Sequence, residues 1–478
     1  MCSLRRMFSK SRNICSCVHI MNNVRANQIR FLCREASTSS RLNEKNAHYD
    51  IIVAGGGMVG TTLACTLAQA PRLSGRKILL LEGSPQQSRD LKPQYSNRVS
   101  SLNSGTKDLL QLIGAWTHIA NARYKTVKKL QVWEACSDAM ITFSHDGMVE
   151  DIAYIVENDV LLAAVNRQIQ ELTGYLTVIH QAKIKGYELP QRCGTANDVR
   201  VHLENGSSYI SSLLIGADGA NSQVRKAMGV QYLSWDYNQM GVVATLNLSE
   251  PMNNVVAWQR FLPTGPVALL PLTDELSSLV WSTSIEHAKE LLSISNESFV
   301  DALNDALWKK CPRDKIIDVA TQRLDNLLES VFETSNAVRQ LHPSISGVVE
   351  GSRAAFPLGF GHATCYVGKG VALVGDAAHR VHPLAGQGVN LGFGDVKCLS
   401  ELLCEAVFNG SSLGNMSHLM KYETLRQRHN LPTMLATEGL QKLYGTTLTP
   451  VVVLRSLGLQ LTHVLSPVKK MIMNYAAA

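Results

Sequence analysis

The sequence predicts an α/β chain built on a Rossmann-like dinucleotide-binding domain, with an antiparallel-sheet second domain and a helical C-terminal region. Three observations predict it. A strand, glycine turn, helix and strand follow one another at 49–82; two later apolar strands each run into an acid beside glycines; and the intervening segments alternate with the period of half-buried strands. The size agrees, because 478 residues with 45% apolar and 18% charged side chains suffice for two or three domains around substantial cores.

The first element is a leader. The chain carries a formal charge of +7, and residues 1–45 hold nine Lys or Arg against two acids. Taking these from the totals of 46 and 39 leaves 37 of each sign, so the remaining body is neutral and offers no electrostatic case for nucleic acid as a partner. The leader has no acid before Glu35, lacks the long apolar core of a secretory signal, and ends in Ser37, Thr38, Ser39 and Ser40. That is the composition of a mitochondrial transit peptide; a basic tail without an address is the alternative. Four of the eleven cysteines lie in it, and the other seven are scattered singly with no C-x-x-C pair. Neither a disulfide scaffold nor a metal centre is expected. No eighteen consecutive residues are apolar, so no single spanning helix is expected, while peripheral attachment stays open.

The next elements form the nucleotide unit. The strand Tyr49 to Ala54 runs into Gly55, Gly57 and Gly60 spaced G-x-G-x-x-G, residues 61–70 have helical character, and the strand Lys77 to Leu81 ends at Glu82. Gly55 permits the tight turn, Gly57 lets backbone approach a pyrophosphate, and Gly60 lets helix and strand pack closely. The helix N-terminus supplies free N–H groups to the anion. Glu82 can accept from both ribose hydroxyls, which argues against a 2′-phosphate. This unit alone does not separate FAD from NAD.

Two further units bear on that choice. The strand 209–215 leads into Gly216-Ala217-Asp218-Gly219, and the strand 370–374 leads into Gly375-Asp376-Ala377-Ala378-His379. A glycine-rich run from His382 through Pro383, Gly386, Gln387, Gly388, Val389 and Asn390 to Asp395 follows. Acids at the carboxyl edge of such strands can take ribose or ribityl hydroxyls. Gly386 and Gly388 allow backbone to crowd a flat ring, and a helix starting near Gly388 would aim N–H donors at the pyrimidine end of a flavin.

Together these motifs resemble the class A flavoprotein monooxygenases, the group that includes para-hydroxybenzoate hydroxylase. Asp218 matches that group's Asp-Gly motif, residues 375–379 match its Gly-Asp motif, and the run 382–395 is similar to the signature of the ring hydroxylases of ubiquinone biosynthesis. The resemblance spans roughly 48–440. It implies bound FAD, with Gly55, Gly57 and Gly60 on the pyrophosphate, Glu82 on the adenosine ribose, and Arg98 near the phosphates or flavin. Asp218 is linked to FAD and reduced pyridine nucleotide. Gly375 and Asp376 serve the ribityl chain, while Pro383 and Gly386, Gln387, Gly388, Val389 and Asn390 line the flavin. No side chain is assigned as catalytic, because the oxygen chemistry belongs to the flavin. The resemblance further implies a prenylated phenolic substrate hydroxylated at ring carbon five, electrons from ferredoxin and ferredoxin reductase in preference to NADPH, a ubiquinone-biosynthesis complex, and a peripheral site on the matrix side of the mitochondrial inner membrane. A flavin oxidoreductase of another class and a non-catalytic FAD-stabilised component of a membrane assembly are the rival readings.

The remaining elements fall between the motifs. The FAD-binding domain is expected in pieces at 48–123, 151–235 and 340–405, with the substrate domain at 124–150 and 236–339 and the helical region at 406–478. Antiparallel strands are expected at 127–134, 140–144, 241–248, 255–262, 267–272 and 277–284, and helices at 157–172, 285–293 and 297–310. Phe261 to Pro266, Leu270 to Leu272 and Val280-Trp281 either wall the flavin ring or simply pack turns. His379 and His382 could serve acid–base chemistry or merely cap and pack their loop. In the C-terminal region, apolar faces punctuated by Arg455, Lys469 and Lys470 either lie on an acidic membrane or pack on the body.

Overall fold

The computed structural model describes residues 46–477, apart from 87–90, 138, 173, 191–197 and 310–340; within this last span only Ile317, Val319 and Arg323 are described. The leader at 1–45 lies outside the described residues.

Runs of Ile, Leu and Val without alternation build the first sheet, because such strands are buried on both faces. Ile51, Ile52, Val53, Leu213, Leu214 and Ile215 are fully buried. Five strands lie parallel in the order Val371–Leu373, Ser208–Gly216, Asn46–Ala54, Ile78–Leu81 and Leu176–Ile179, with antiparallel strands added at the edges. The helices Met58–Gln69, Asn158–Glu171 and Gln387–Phe408 pack their apolar residues into the same core. Register decides where the motifs go. Ala54 pairs with both Gly216 and Leu81, and Gly216 pairs with Leu373, so Gly55, Glu82, Ala217 and Val374 leave one carboxyl edge side by side.

Among the described residues the second sheet has nine strands. Its main path runs His379–Arg380, Ala354–Ala363, Tyr232–Leu248, Leu276–Ser284, Gly265–Pro271, Val256–Leu262, Lys129–Glu134 and Met140–Ser144. Pairing is antiparallel except between Val256–Leu262 and Lys129–Glu134, which run parallel because a long crossover rather than a hairpin joins them. Two expectations are corrected. The strand expected at 127–134 breaks at Lys128: Lys125–Val127 joins a three-stranded sheet with Ala153–Glu157 and Val99–Leu102, while Lys129–Glu134 enters the second sheet. The second sheet also continues past the boundary drawn at 339–340, since Ile345–Val348 and Ala354–Ala363 both pair with the long strand Tyr232–Leu248.

Three helices, Met416–Tyr444, Thr449–Val464 and Ser466–Ala477, close the described chain. No single described helix is long and apolar enough to cross a membrane; the last two pass that test only as a pair bent by 92°. Arg455 does not face a membrane surface. Its side chain is 1% exposed and meets Glu134 at 2.6 Å, with Ser456 and Ser137 completing a buried polar cluster under the second sheet.

Candidate active site

The glycine turn is shaped by close approach. Gly55 sits at φ +108°, and a Cβ there would lie 2.4 Å from the Ala217 carbonyl oxygen; one on Gly60 would lie 2.0 Å from the Gly55 oxygen. At Gly57 the same construction meets nothing within 4 Å, so this residue faces open space at the start of the helix Met58–Gln69. Among the described residues no side chain caps that helix, leaving its N-terminus available to an anion. Glu82 braces the turn: its carboxylate accepts from Gly56 N–H at 2.6 Å and from Ser84 N–H at 2.7 Å. Each oxygen retains a lone pair for a ribose hydroxyl.

Asp218 emerges beside this turn. Its Oδ2 accepts from the N–H groups of Gln223 and Val224, at the start of the short helix Gln223–Ala227, while Oδ1 is buried without a partner among the described residues. The Gly-Asp motif is adjacent: Val59 of the first helix packs against Gly375 and Gly392.

Beyond that contact opens a cavity of about 1120 Å³. Arg98, Asp376, Pro383, Gly386, Gln387, Gly388, Val389 and Asn390 all lie on its wall. Asp376 is exposed to the cavity yet lies deep in the protein, so burial pushes its carboxyl above the ordinary range while His379 and Arg380 pull the other way. Arg98 points its guanidinium over the Phe356 ring at 5.9 Å. Its segment is held by Glu157, which accepts from Ser96 N–H and pairs with Arg123, and by Asn158, which accepts from Ser100 Oγ at 2.7 Å. Gly386 adopts φ +61° and leads into the helix Gln387–Phe408, again with no capping side chain. Asn390 is buried as a fastener, accepting from Asn103 N–H and Thr106 Oγ1 and donating to the Ser101 and Gly386 carbonyls. The side-chain hydrogen bonds of Asn390 thus go to protein rather than into the cavity.

Much of the remaining wall is apolar, interspersed with polar groups such as His145, Asp151, Gln259 and Thr462. Leu130, Val132, Ile141, Phe143, Phe261, Leu270 and Val280 come from the second sheet, and Leu443, Leu454, Leu459 and Ile472 from the C-terminal helices. Phe261, Leu270 and Val280 therefore reach the cavity, whereas Trp281 is turned into the sheet core beside His287.

The histidines separate. His379 Nε2 donates to Asp395 at 2.7 Å and fastens its loop. His382 is 1% exposed, lies edge-on to Tyr237 at 5.0 Å, and has no hydrogen-bond partner on either ring nitrogen among the described residues. Burial holds its imidazole down at about 4, with Glu438 acting in the opposite direction. The sequence reading missed Asp395, Arg426 and Asn430 as a cluster. Among the described residues no three His, Cys, Asp or Glu side chains group so as to hold a metal ion.

The open cradle at Gly57, the two uncapped helix starts and the orphaned Asp218 oxygen fit a dinucleotide running from the turn into the cavity. The comparisons agree. The FAD binding domain family matches residues 48–433. The ubiquinone biosynthesis monooxygenase COQ6, mitochondrial, of Danio rerio is 49% identical over 97% of this chain and 96% of its own. The chain belongs to the family of mitochondrial ubiquinone biosynthesis monooxygenases. The Homo sapiens member is 50% identical over 90% of this chain and 92% of its own, and the Drosophila melanogaster member 51% over 93% and 92%. Among solved structures, p-nitrophenol 4-monooxygenase PnpA of Pseudomonas putida shares the fold with a TM-score of 0.64 at 15% identity, covering 91% of this chain and 99% of its own. PqsL of Pseudomonas aeruginosa in complex with 2-aminobenzoylacetate gives 0.62 at 20%, covering 86% and 99%. This ubiquinone-biosynthesis family member is thus an FAD-dependent monooxygenase of the mitochondrion.

Proposed function

We propose that the chain hydroxylates ring carbon five of a polyprenylated hydroxybenzoate-like intermediate, on the matrix face of the inner membrane, with electrons from ferredoxin and its reductase. One observation carries this reading: a single cavity joins the flavin-side motif to an apolar space between the second sheet and the C-terminal helices. The polar end suits a cofactor and a phenolic ring, and the apolar end suits a prenyl tail.

In this reading Gly55, Gly57 and Gly60 hold the FAD pyrophosphate, Glu82 the ribose, Asp376 the ribityl chain, and Pro383 with Gly386 to Asn390 the ring. Arg98 and Asp218 hold the phosphate side. When bound, the FAD would pass the ferredoxin-supplied electrons to dioxygen and so activate it, one oxygen atom going to the ring and the other leaving as water. The chain's own residues bind, orient and exclude water. Phe261, Leu270 and Val280 press the phenolic ring into place from the sheet side. The N-terminus of the helix Gln387–Phe408 directs its free N–H groups at the edge where negative charge accumulates.

Exposed Leu454, Leu461, Leu465, Met471, Ile472 and Tyr475 stand near Lys469 and Lys470 on the C-terminal helices, where an anionic bilayer would receive them. The sequence contains a single G-x-G-x-x-G turn, which favours a protein electron donor over a separate pyridine-nucleotide domain. Assembly with other ubiquinone-pathway proteins follows from the same placement. The test supplies purified holoprotein with a prenylated 4-hydroxybenzoate, dioxygen and the ferredoxin pair. A product with one added oxygen at ring carbon five is expected. Flavin reduction by the pair without ring oxidation would sink the substrate assignment.

A further inference from the structure

The helix Gln387–Phe408 brings Asp395 to the buried centre of a cluster that the flavin chemistry does not itself require. Asp395 is fully buried. Its Oδ2 accepts from Gly375 N–H at 2.9 Å and from His379 Nε2 at 2.7 Å, the two ends of the segment that carries Asp376. Its Oδ1 accepts from Arg426 Nε at 2.7 Å and Asn430 Nδ2 at 3.3 Å, both on the helix Met416–Tyr444. Arg426 also donates to the Leu391 carbonyl at 3.0 Å and to Asn430 Oδ1 at 2.8 Å.

We propose that Asp395 is a positioning residue for the cofactor, fixing Asp376 against the flavin-lining residues Gly386 to Asn390. The geometry points to this role because Asp395 shares a helix with 387–390 and clamps both sides of Asp376. The ribityl-side acid and the ring-side helix start are thereby held at one spacing. Burial alone would push the Asp395 carboxyl up, but His379 and Arg426 outweigh it and hold the group at about 2, ionised throughout the working range. The inference rests on the FAD site and is independent of which phenol is oxidised.

The test uses Asp395→Asn and His379→Gln in the full chain, purified with FAD and also stripped to apoprotein. Charge-assisted hydrogen bonds of this kind correspond to roughly a ten- to hundredfold change in an equilibrium. Fluorescence titration of apoprotein with FAD is expected to show weaker binding by about that factor for Asp395→Asn and by a smaller factor for His379→Gln. At saturating FAD the visible band and midpoint potential of the bound flavin are expected to shift in both variants. General helix packing would lower apoprotein Tm without moving either flavin property. Wild-type FAD affinity, spectrum and potential in both variants overturn the proposal. If Asp395→Asn does not fold, His379→Gln decides alone, because it leaves the Asp395–Arg426 pair intact: an unshifted flavin overturns the assignment and a shifted one upholds it.

Discussion

At the scale of single residues, a buried ion pair and a lone buried histidine meet opposite fates. Arg455 and Glu134 share one buried pair, and removing either partner leaves the other charge stranded. Arg455→Ala is expected to cost about 3–5 kcal/mol in urea unfolding, and Arg455→Met with Glu134→Leu to recover most of it. His382 has no such partner and stays neutral. Its folded-state value of about 4 lies below the ordinary histidine range near 6.5, so as pH falls through that window the unfolded chain takes a proton the folded chain refuses. Stability contributed by this neutral histidine is therefore present above about pH 6.5 and declines toward about pH 4. Thermal melts across that interval should fall less steeply for His382→Phe than for the unsubstituted protein.

At the scale of elements, the glycine turn and the strands beside it were legible because local steric demands write themselves into adjacent positions. Gly60→Ala places a methyl group against the Gly55 carbonyl, and FAD retention on gel filtration should be lost. Gly386→Ala forces φ +61° on a side-chain residue and meets Ser101, so weaker FAD binding is expected with the far-UV spectrum unchanged. The long strand Tyr232–Leu248 is expected only from Gly241 onward, although Leu233, Trp235 and Tyr237 alternate with Ser234, Asp236 and Asn238 ahead of it. Ala354–Ala363 falls in the stretch expected for the FAD-binding domain because Pro357, Gly359 and Gly361 mask its strand character, and its partner lies over a hundred residues earlier. The Asp395 cluster was invisible for a related reason. Its members at 375, 379, 395, 426 and 430 follow no periodic spacing, and only the packing of two helices assembles them. Arg455 stays undecided between a membrane face and the body at the sequence level, for want of any signal linking it to Glu134.

At the scale of the whole molecule, the C-terminal helices are walls as well as surface. Ile472, Met473, Asn474 and Ala476 border the cavity, and the Ala476 carbonyl accepts from Asn103 Nδ2 at 2.9 Å. Deleting residues 466–478 should leave FAD bound while weakening a long-tailed phenol far more than a tail-less one, measured by titration of each into holoprotein. The parallel sheet has a different consequence, in time rather than space. The strand Asn46–Ala54 lies between Ile78–Leu81 and Ser208–Gly216, and the next strand outward begins only at Val371. A chain threaded through a membrane amino end first presents these apolar edges long before their last neighbour emerges. Its import should therefore depend on an escort that shields Ile51 to Val53 and Leu213 to Ile215, releasing them only when the final strand arrives.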